Sequence, residues 1–190
     1  MKRIETKRLE TDRLILKRGT LEDYLKVYEY DFTRLRDIGG EFEYVKCNPK
    51  SIECFVSYAD EEEYVLDFIL YLKDNTPIGN IVVDRYGEYG KSLEISINIH
   101  PNYWGKGYAK ESIIEIMKYI FDNLDIDTII YGYAEENSKS KSVNDKIGFE
   151  SIDKRVEHYT RINQDVTTIV TSMSKEKFKE LYKGKTIWNM

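Results

Sequence analysis

Residues 101–110 read Pro-Asn-Tyr-Trp-Gly-Lys-Gly-Tyr-Ala-Lys, a spacing suited to holding an anion. Gly105 and Gly107 let main-chain N–H groups approach a charged ligand with no side chain between. Where such a turn opens a helix, several unpaired N–H groups converge and the helix dipole favours negative charge. Lys106 and Lys110 add mobile positive charge. The chemistry on offer is therefore phosphate binding. Just upstream, Glu94, Ser96, Asn98 and His100 alternate with Leu93, Ile95, Ile97 and Ile99. A carboxylate and an imidazole thus share the polar side of the strand that leads into the turn.

A lone Gly-x-Gly is a weak signal, so other phosphate motifs must be tested against it. The dinucleotide pattern G-x-G-x-x-G needs glycine where Lys110 stands. A Walker loop would end on Gly90-Lys91-Ser92, but its first glycine falls on Arg85 and a strand follows rather than a helix. Gly184-Lys185-Thr186 fails in the same way at Lys179. What survives is an anion turn between an alternating strand and a periodic helix.

The elements that must carry this turn follow from pattern. Residues 13–17 predict a first strand, and Thr20 is a good N-cap for a helix over 21–35, ended by Gly39-Gly40. A second helix is expected over 50–59, then strands over 64–73 and 78–84 joined by a hairpin at Asp74-Asn75-Thr76-Pro77. After the alternating strand of residues 93–100, Ile113, Ile116, Met117, Ile120 and Phe121 recur at helical spacing up to about Asn123. A strand over 128–134, a short helix over 139–147 stopped by Gly148, and strands over 149–159 and 166–173 around Asn163-Gln164-Asp165 complete the domain. A helical tail follows from Ser174. This order predicts one mixed α/β domain, residues 1–190, with ligands beyond the carboxyl ends of strands.

Composition narrows the partners. With 190 residues, 41% hydrophobic and 33% charged, the chain resembles ordinary globular proteins. It offers no membrane span and no apolar signal core, so a cytoplasmic location is expected. Cys47 and Cys54 with His100 and His158 make no zinc pattern, so no metal is expected, and reduced thiols are the default. A net charge of −5 argues against nucleic acid. Acidic residues at Glu22, Asp23, Glu29, Asp31, Asp37, Glu41, Glu43 and 60–63 would attract a cationic amine, or are simply a solvated surface. Trp104, Tyr131, Tyr133 and Tyr159 could stack nucleobases, but sheet and core packing accounts for them better. Richness in Lys, Ile, Tyr and Asn suggests a bacterial source, and exposed strand edges would allow a homodimer.

Four stretches together resemble one family: Glu10-Thr11-Asp12-Arg13-Leu14-Ile15-Leu16; the turn at 101–110; Asn137-x-x-Ser140 followed by Lys146-Ile147-Gly148-Phe149; and Asp165 before the last strand. They are similar to GNAT-family acyl-CoA N-acyltransferases, and within them to the ribosomal-protein N-terminal acetyltransferases. The resemblance covers nearly the whole chain. It implies a mostly antiparallel central sheet flanked by helices, acetyl-CoA as acyl donor, and a primary amine as acceptor: a protein N-terminus, a polyamine or an aminoglycoside.

The family's diphosphate loop, [Gln/Arg]-x-x-Gly-x-[Gly/Ala], falls on Asn102, Tyr103, Trp104, Gly105, Lys106 and Gly107, with Tyr108, Ala109 and Lys110 opening the helix; Asn102 departs from the pattern. The resemblance further implies that Ile97, Asn98 and Ile99 pair with the pantetheine arm as an added strand, and that Asn137 reaches the same arm, unless it only forms a turn. Direct attack by an amine on the thioester needs a base, a polarised carbonyl and a proton for the leaving sulfur. Glu94 is the first candidate for the base, with a surface polar contact as its alternative. His100 is the second, or else positions the turn. The tyrosine that many members use as acid is replaced by Asn144, and the resemblance offers Ser140 instead, with helix capping as the other reading. A non-catalytic acyl-CoA-binding module is the alternative function.

Overall fold

The computed structural model describes residues 6–29, 50, 53, 66–85, 91–159 and 164–182. Eight strands are labelled in chain order: β1 (Leu9–Glu10), β2 (Leu14–Lys17), β3 (Leu66–Leu72), β4 (Pro77–Arg85), β5 (Ser92–Ile99), β6 (Thr128–Ala134), β7 (Glu150–Tyr159) and β8 (Gln164–Ser174). The helices are α1 (Leu21–Val27), α2 (Tyr108–Asn123), α3 (Ser138–Ile147) and α4 (Lys175–Tyr182). One sheet joins all the strands in the order β1-β2-β3-β4-β5-β6-β8-β7. Every neighbouring pair is antiparallel except β5 and β6.

That exception makes the site. β5 and β6 pair only through Ser92↔Thr128, Leu93↔Ile129 and Glu94↔Ile130, although both strands run on to Ile99 and Ala134. Beyond the last pair the sheet opens into a wedge. The His100 N–H bonds to the Ile78 carbonyl across β4, and main-chain groups alternate sides along a strand. Ile97 and Ile99 therefore turn theirs into the gap.

Alternation also separates two cores. Leu14, Leu16, Leu66, Phe68, Leu93 and Ile95 pack on one face with the apolar stripe of α2, Ile113, Ile116, Met117 and Ile120. On the other face Ile15, Ile69 and Tyr71 meet Tyr24 and Val27 of α1. α1 begins where expected: the Thr20 hydroxyl accepts from the Asp23 N–H while Asp23 reaches back, a full capping box. It ends sooner than its pattern suggested, at Val27 rather than near residue 35, because Tyr28 leaves helical geometry. Residues from 30 to 49, with Gly39-Gly40 and Cys47, lie outside the described set, as does Cys54; Lys50 and Glu53 are helical.

The remaining elements follow the pattern closely, including the hairpin at 74–76, where Asn75 takes φ +67°. One correction concerns Gln164 and Asp165, read above as hairpin turn. They belong to β8, paired with Tyr159 and His158, and the His158 imidazole lies 2.8 Å from the Asp165 carboxylate. β1 is a two-residue strand, too short for alternation to reveal. Among the described residues no helix is long and apolar enough to cross a membrane.

Candidate active site

The mouth of the wedge continues into a cleft of about 420 Å3, within the range of small-molecule sites. Its walls are residues 97–99, the turn residues 103–105 and 107–110, Tyr131, and one side of α3 with its cap, residues 137–140 with Ser142, Val143 and Lys146. The two segments that motif spacing singled out are brought together here, one on each side of the gap.

The turn is held by local bonds. Pro101–Tyr103 forms a short 3-10 turn in which the Tyr103 N–H donates to the His100 carbonyl and the Trp104 N–H to the Pro101 carbonyl. Those two amides are spent. The N–H groups of Gly105, Lys106, Gly107, Tyr108 and Ala109 receive no acceptor within the described residues, and Gly107 is the N-cap of α2 with no side-chain cap. Gly105 and Gly107 take φ +75° and +81°, which L side chains adopt only with strain. A Cβ at Gly105 would stand in open space, and one at Gly107 would meet only Arg13, at 3.5 Å. Backbone conformation, rather than crowding, demands glycine here, and the amides of residues 105–109 are left without an acceptor among the described residues beside the cleft. This cradle suits a diphosphate.

A brace from the N-terminal motif fixes the cradle. Glu111, 3% exposed in the first turn of α2, accepts from the Thr11 hydroxyl, the Arg13 N–H and the Arg13 guanidinium, whose Nε lies 2.6 Å away. The same guanidinium donates to the Lys106 carbonyl at 2.9 Å and lies 4.8 Å from the centre of the Tyr108 ring. Pattern reading recorded Thr11 and Arg13 as part of a motif without a role. Their contact lies 98 to 100 positions away in sequence, which no local signal announces.

Around the turn, Trp104 donates its indole N–H to the Ile99 carbonyl at 2.6 Å, and Lys139 lies 4.0 Å over its ring. The gap therefore keeps the Ile97 N–H and carbonyl and the Ile99 N–H for a ligand. Lys110, Lys139 and Lys146 give the cleft positive charge, while the Lys106 side chain lies over Tyr103 at 5.1 Å and does not line it. Asn102 is exposed at the outside of the turn, and its N–H donates to His100 Nδ1 at 3.2 Å. His100 Nε2 is 2.8 Å from the Glu29 carbonyl, so the neutral ring donates through Nε2 and accepts through Nδ1. Both ring nitrogens are engaged in holding the turn.

Glu94 stands on the opposite face of the sheet, at the last paired position before the wedge opens. One of its carboxylate oxygens would be 3.4 Å from a Cβ on Gly132 of β6. Burial pushes its pKa up, Arg155 opposes this, and Glu157 and Asp84 add to it. Raised basicity at a strand junction is the property a general base needs. Asn137 caps α3, its side-chain oxygen accepting from the Ser140 N–H at 3.0 Å. The cap is thus Asn137, not Ser140, which lines the cleft. Asn144 is buried and donates to the Thr171 hydroxyl at 2.7 Å, which in turn donates to the Tyr131 carbonyl at 2.8 Å. Among the described residues no cluster of His, Cys, Asp and Glu could hold a metal ion.

Comparison with known proteins agrees with this geometry. The model of the acetyltransferase (GNAT) domain matches residues 13–150. The chain is 30% identical to the uncharacterized N-acetyltransferase YnaD of Bacillus subtilis over 148 residues, 74% of this chain and 81% of that one. Its fold superposes on an acetyltransferase (GNAT family) from Bacillus anthracis with TM-score 0.73 and 24% identity, over 90% of this chain and 99% of the other. A putative ribosomal-protein-serine acetyltransferase from Vibrio cholerae gives TM-score 0.71 and 16% identity, over 90% and 99%. The chain belongs to the GNAT acetyltransferase family. It is an N-acetyltransferase, and the acyl donor of this fold is acetyl-CoA.

Proposed function

We propose that the protein transfers the acetyl group of acetyl-CoA to a primary amine by direct attack within a ternary complex, and that the amine is a protein N-terminus. One observation carries this reading: the turn whose amides at 105–109 have no acceptor among the described residues and the unpaired end of β5 meet at a single cleft. The diphosphate would rest on the former and the pantetheine arm along the latter, with Asn137 beside the arm. The thioester then lies where β5 and β6 part, between the cleft and the face that carries Glu94.

In this scheme Glu94 accepts the proton of the ammonium, directly or through water, which matters because an α-amine of pKa about 8 is mostly charged at neutral pH. The Ile97 or Ile99 N–H polarises the carbonyl, and Ser140 supplies the hydrogen bond and proton that the departing sulfur needs. His100, with both nitrogens occupied, keeps the turn in place and leaves the base to Glu94. The N-terminal acceptor is supported by the resemblance to ribosomal-protein acetyltransferases and by the named Vibrio cholerae neighbour. A cytoplasmic site of action fits such an acceptor.

Thiol release from acetyl-CoA in the presence of peptides, polyamines and aminoglycosides tests the reading. Turnover is expected with peptides bearing a free N-terminus and is expected to fall about 10²- to 10⁴-fold in Glu94→Gln. Turnover with a polyamine or aminoglycoside alone would replace the proposed acceptor, and an unaltered Glu94→Gln enzyme would remove the proposed base.

A further inference from the structure

Six glycines stand among the described residues, and the fold accounts for five of them. Gly105, Gly107 and Gly148 take positive φ, while a Cβ on Gly19 would run into Ile69 and one on Gly79 into the Asn98 carbonyl. Gly132 is the exception. It is not in the left-handed region, and a Cβ there would meet only a Glu94 carboxylate oxygen at 3.4 Å and the Thr168 methyl at 3.7 Å, both ordinary contacts. Glycine weakens the interior of a strand and often marks a point where a ligand approaches the main chain closely. Packing alone would have accepted alanine in the middle of β6.

Its position supplies the reason. Gly132 lies two residues past Ile130, the last β6 residue paired with β5, where the two strands have parted. Tyr131 lines the cleft, so Gly132 turns to the opposite face, beside Glu94. A nitrogen hydrogen-bonded to the Glu94 oxygen sits at about 2.9 Å from it. On the wedge side of that oxygen, such a nitrogen would take the space that a methyl group on residue 132 would fill. The far wall is firm: Thr168 is 5% exposed, its hydroxyl donates to Glu157 at 3.1 Å, and the other Glu157 oxygen lies 2.7 Å from Arg155 Nε.

We propose that Gly132 determines acceptor specificity: its missing side chain is the lane by which the amine reaches the thioester beside Glu94, wide enough for an amine on a branched carbon, as at a protein N-terminus. This rests on the acyl-transfer reading above. A methyl group at this position narrows the lane to amines on unbranched carbons, and a larger side chain closes it. The cleft on the other face keeps its shape in either case.

The lane can be probed without knowing the acceptor, because any acceptor joins the thioester carbon through it. The probes are coenzyme A molecules whose sulfur carries a CH2-CO group in amide linkage to alanine amide or to glycine amide. Each is compared with acetyl-CoA by calorimetry on the full-length protein. The wild type should bind both conjugates at least as tightly as acetyl-CoA. Gly132→Val should keep its affinity for acetyl-CoA, which also reports that it folds, and bind both conjugates about tenfold or more weakly, since overpacking has no route of relief. Gly132→Ala, whose methyl fits the fold, should weaken the alanine conjugate more than the glycine conjugate and leave acetyl-CoA unchanged. With an accepted amine, Gly132→Val should raise the KM for the amine and not for acetyl-CoA. Should Gly132→Val not fold, Gly132→Ala decides. Conjugates that bind the variants as they bind the wild type overturn the proposal, as does a loss shared equally with acetyl-CoA, or a wild type that binds acetyl-CoA but rejects both conjugates. A wild type that binds none of the three brings down the donor site, and the proposal with it.

Discussion

Two carboxylates on the same face of the sheet have raised pKa values for one reason, burial, and different consequences. For Glu94, a raised pKa means that the base form is lost on acidification sooner than for an ordinary glutamate. The kcat/KM profile should therefore show an acidic limb above pH 4.5, and Glu94→Gln should abolish the limb together with most of the rate. Asp67 is fully buried on β3; one oxygen accepts from the Tyr24 hydroxyl, and the other, Oδ1, has no hydrogen-bond partner. Burial pushes it up to about 7, with Arg18 opposing. The folded chain thus holds this proton more tightly than the unfolded chain. Its contribution to stability is complete below about pH 4 and is lost as pH rises through about 7. Asp67→Asn imitates the protonated form, so it should flatten the stability profile across that window and raise stability at pH 8 by up to about 4 kcal/mol, measured by urea unfolding. Neither property was legible in the sequence. Alternation put Glu94 on a polar face, but Asp67 sat inside an apolar run, and only the packing of α1 over β3 explains how it is covered.

At the scale of elements, the cradle depends on a strand from the other end of the chain. Arg13, next to the start of β2, ties the Lys106 carbonyl to Glu111 of α2. Arg13→Ala would leave a buried carboxylate short of its cation and free the turn to fluctuate. Because the guanidinium is half exposed, the expected loss is about 1–2 kcal/mol, read by calorimetry as about 5- to 30-fold weaker acetyl-CoA binding. Lys106→Ala, which keeps the carbonyl that Arg13 holds, should change the affinity far less. The glycines, the alternating strand and the amphipathic α2 were plain in the sequence because period and φ preference are local. The brace was not, since charged residues at large separation carry no sign of their pairing. The length of α1 was overstated for a related reason: its apolar spacing continues past the point where Tyr28 leaves the helix.

For the whole molecule, strand and helix order were readable nearly throughout. What pattern could not supply was the point of divergence, since pairing between β5 and β6 stops for geometric rather than compositional reasons. Asn137 and Ser140 were legible through their motif, whereas the place of Lys139 and Lys146 on the cleft wall was invisible for the same cause. Of the chain's two tryptophans, Trp104 lines the cleft, anchored to Ile99 and covered by Lys139. Its indole is therefore a built-in optical gauge. Titration with acetyl-CoA should change the intensity and wavelength of tryptophan emission saturably, and Trp104→Phe should silence that signal while the second tryptophan continues to emit. Donor occupancy can then be followed in real time, with no label and no knowledge of the amine.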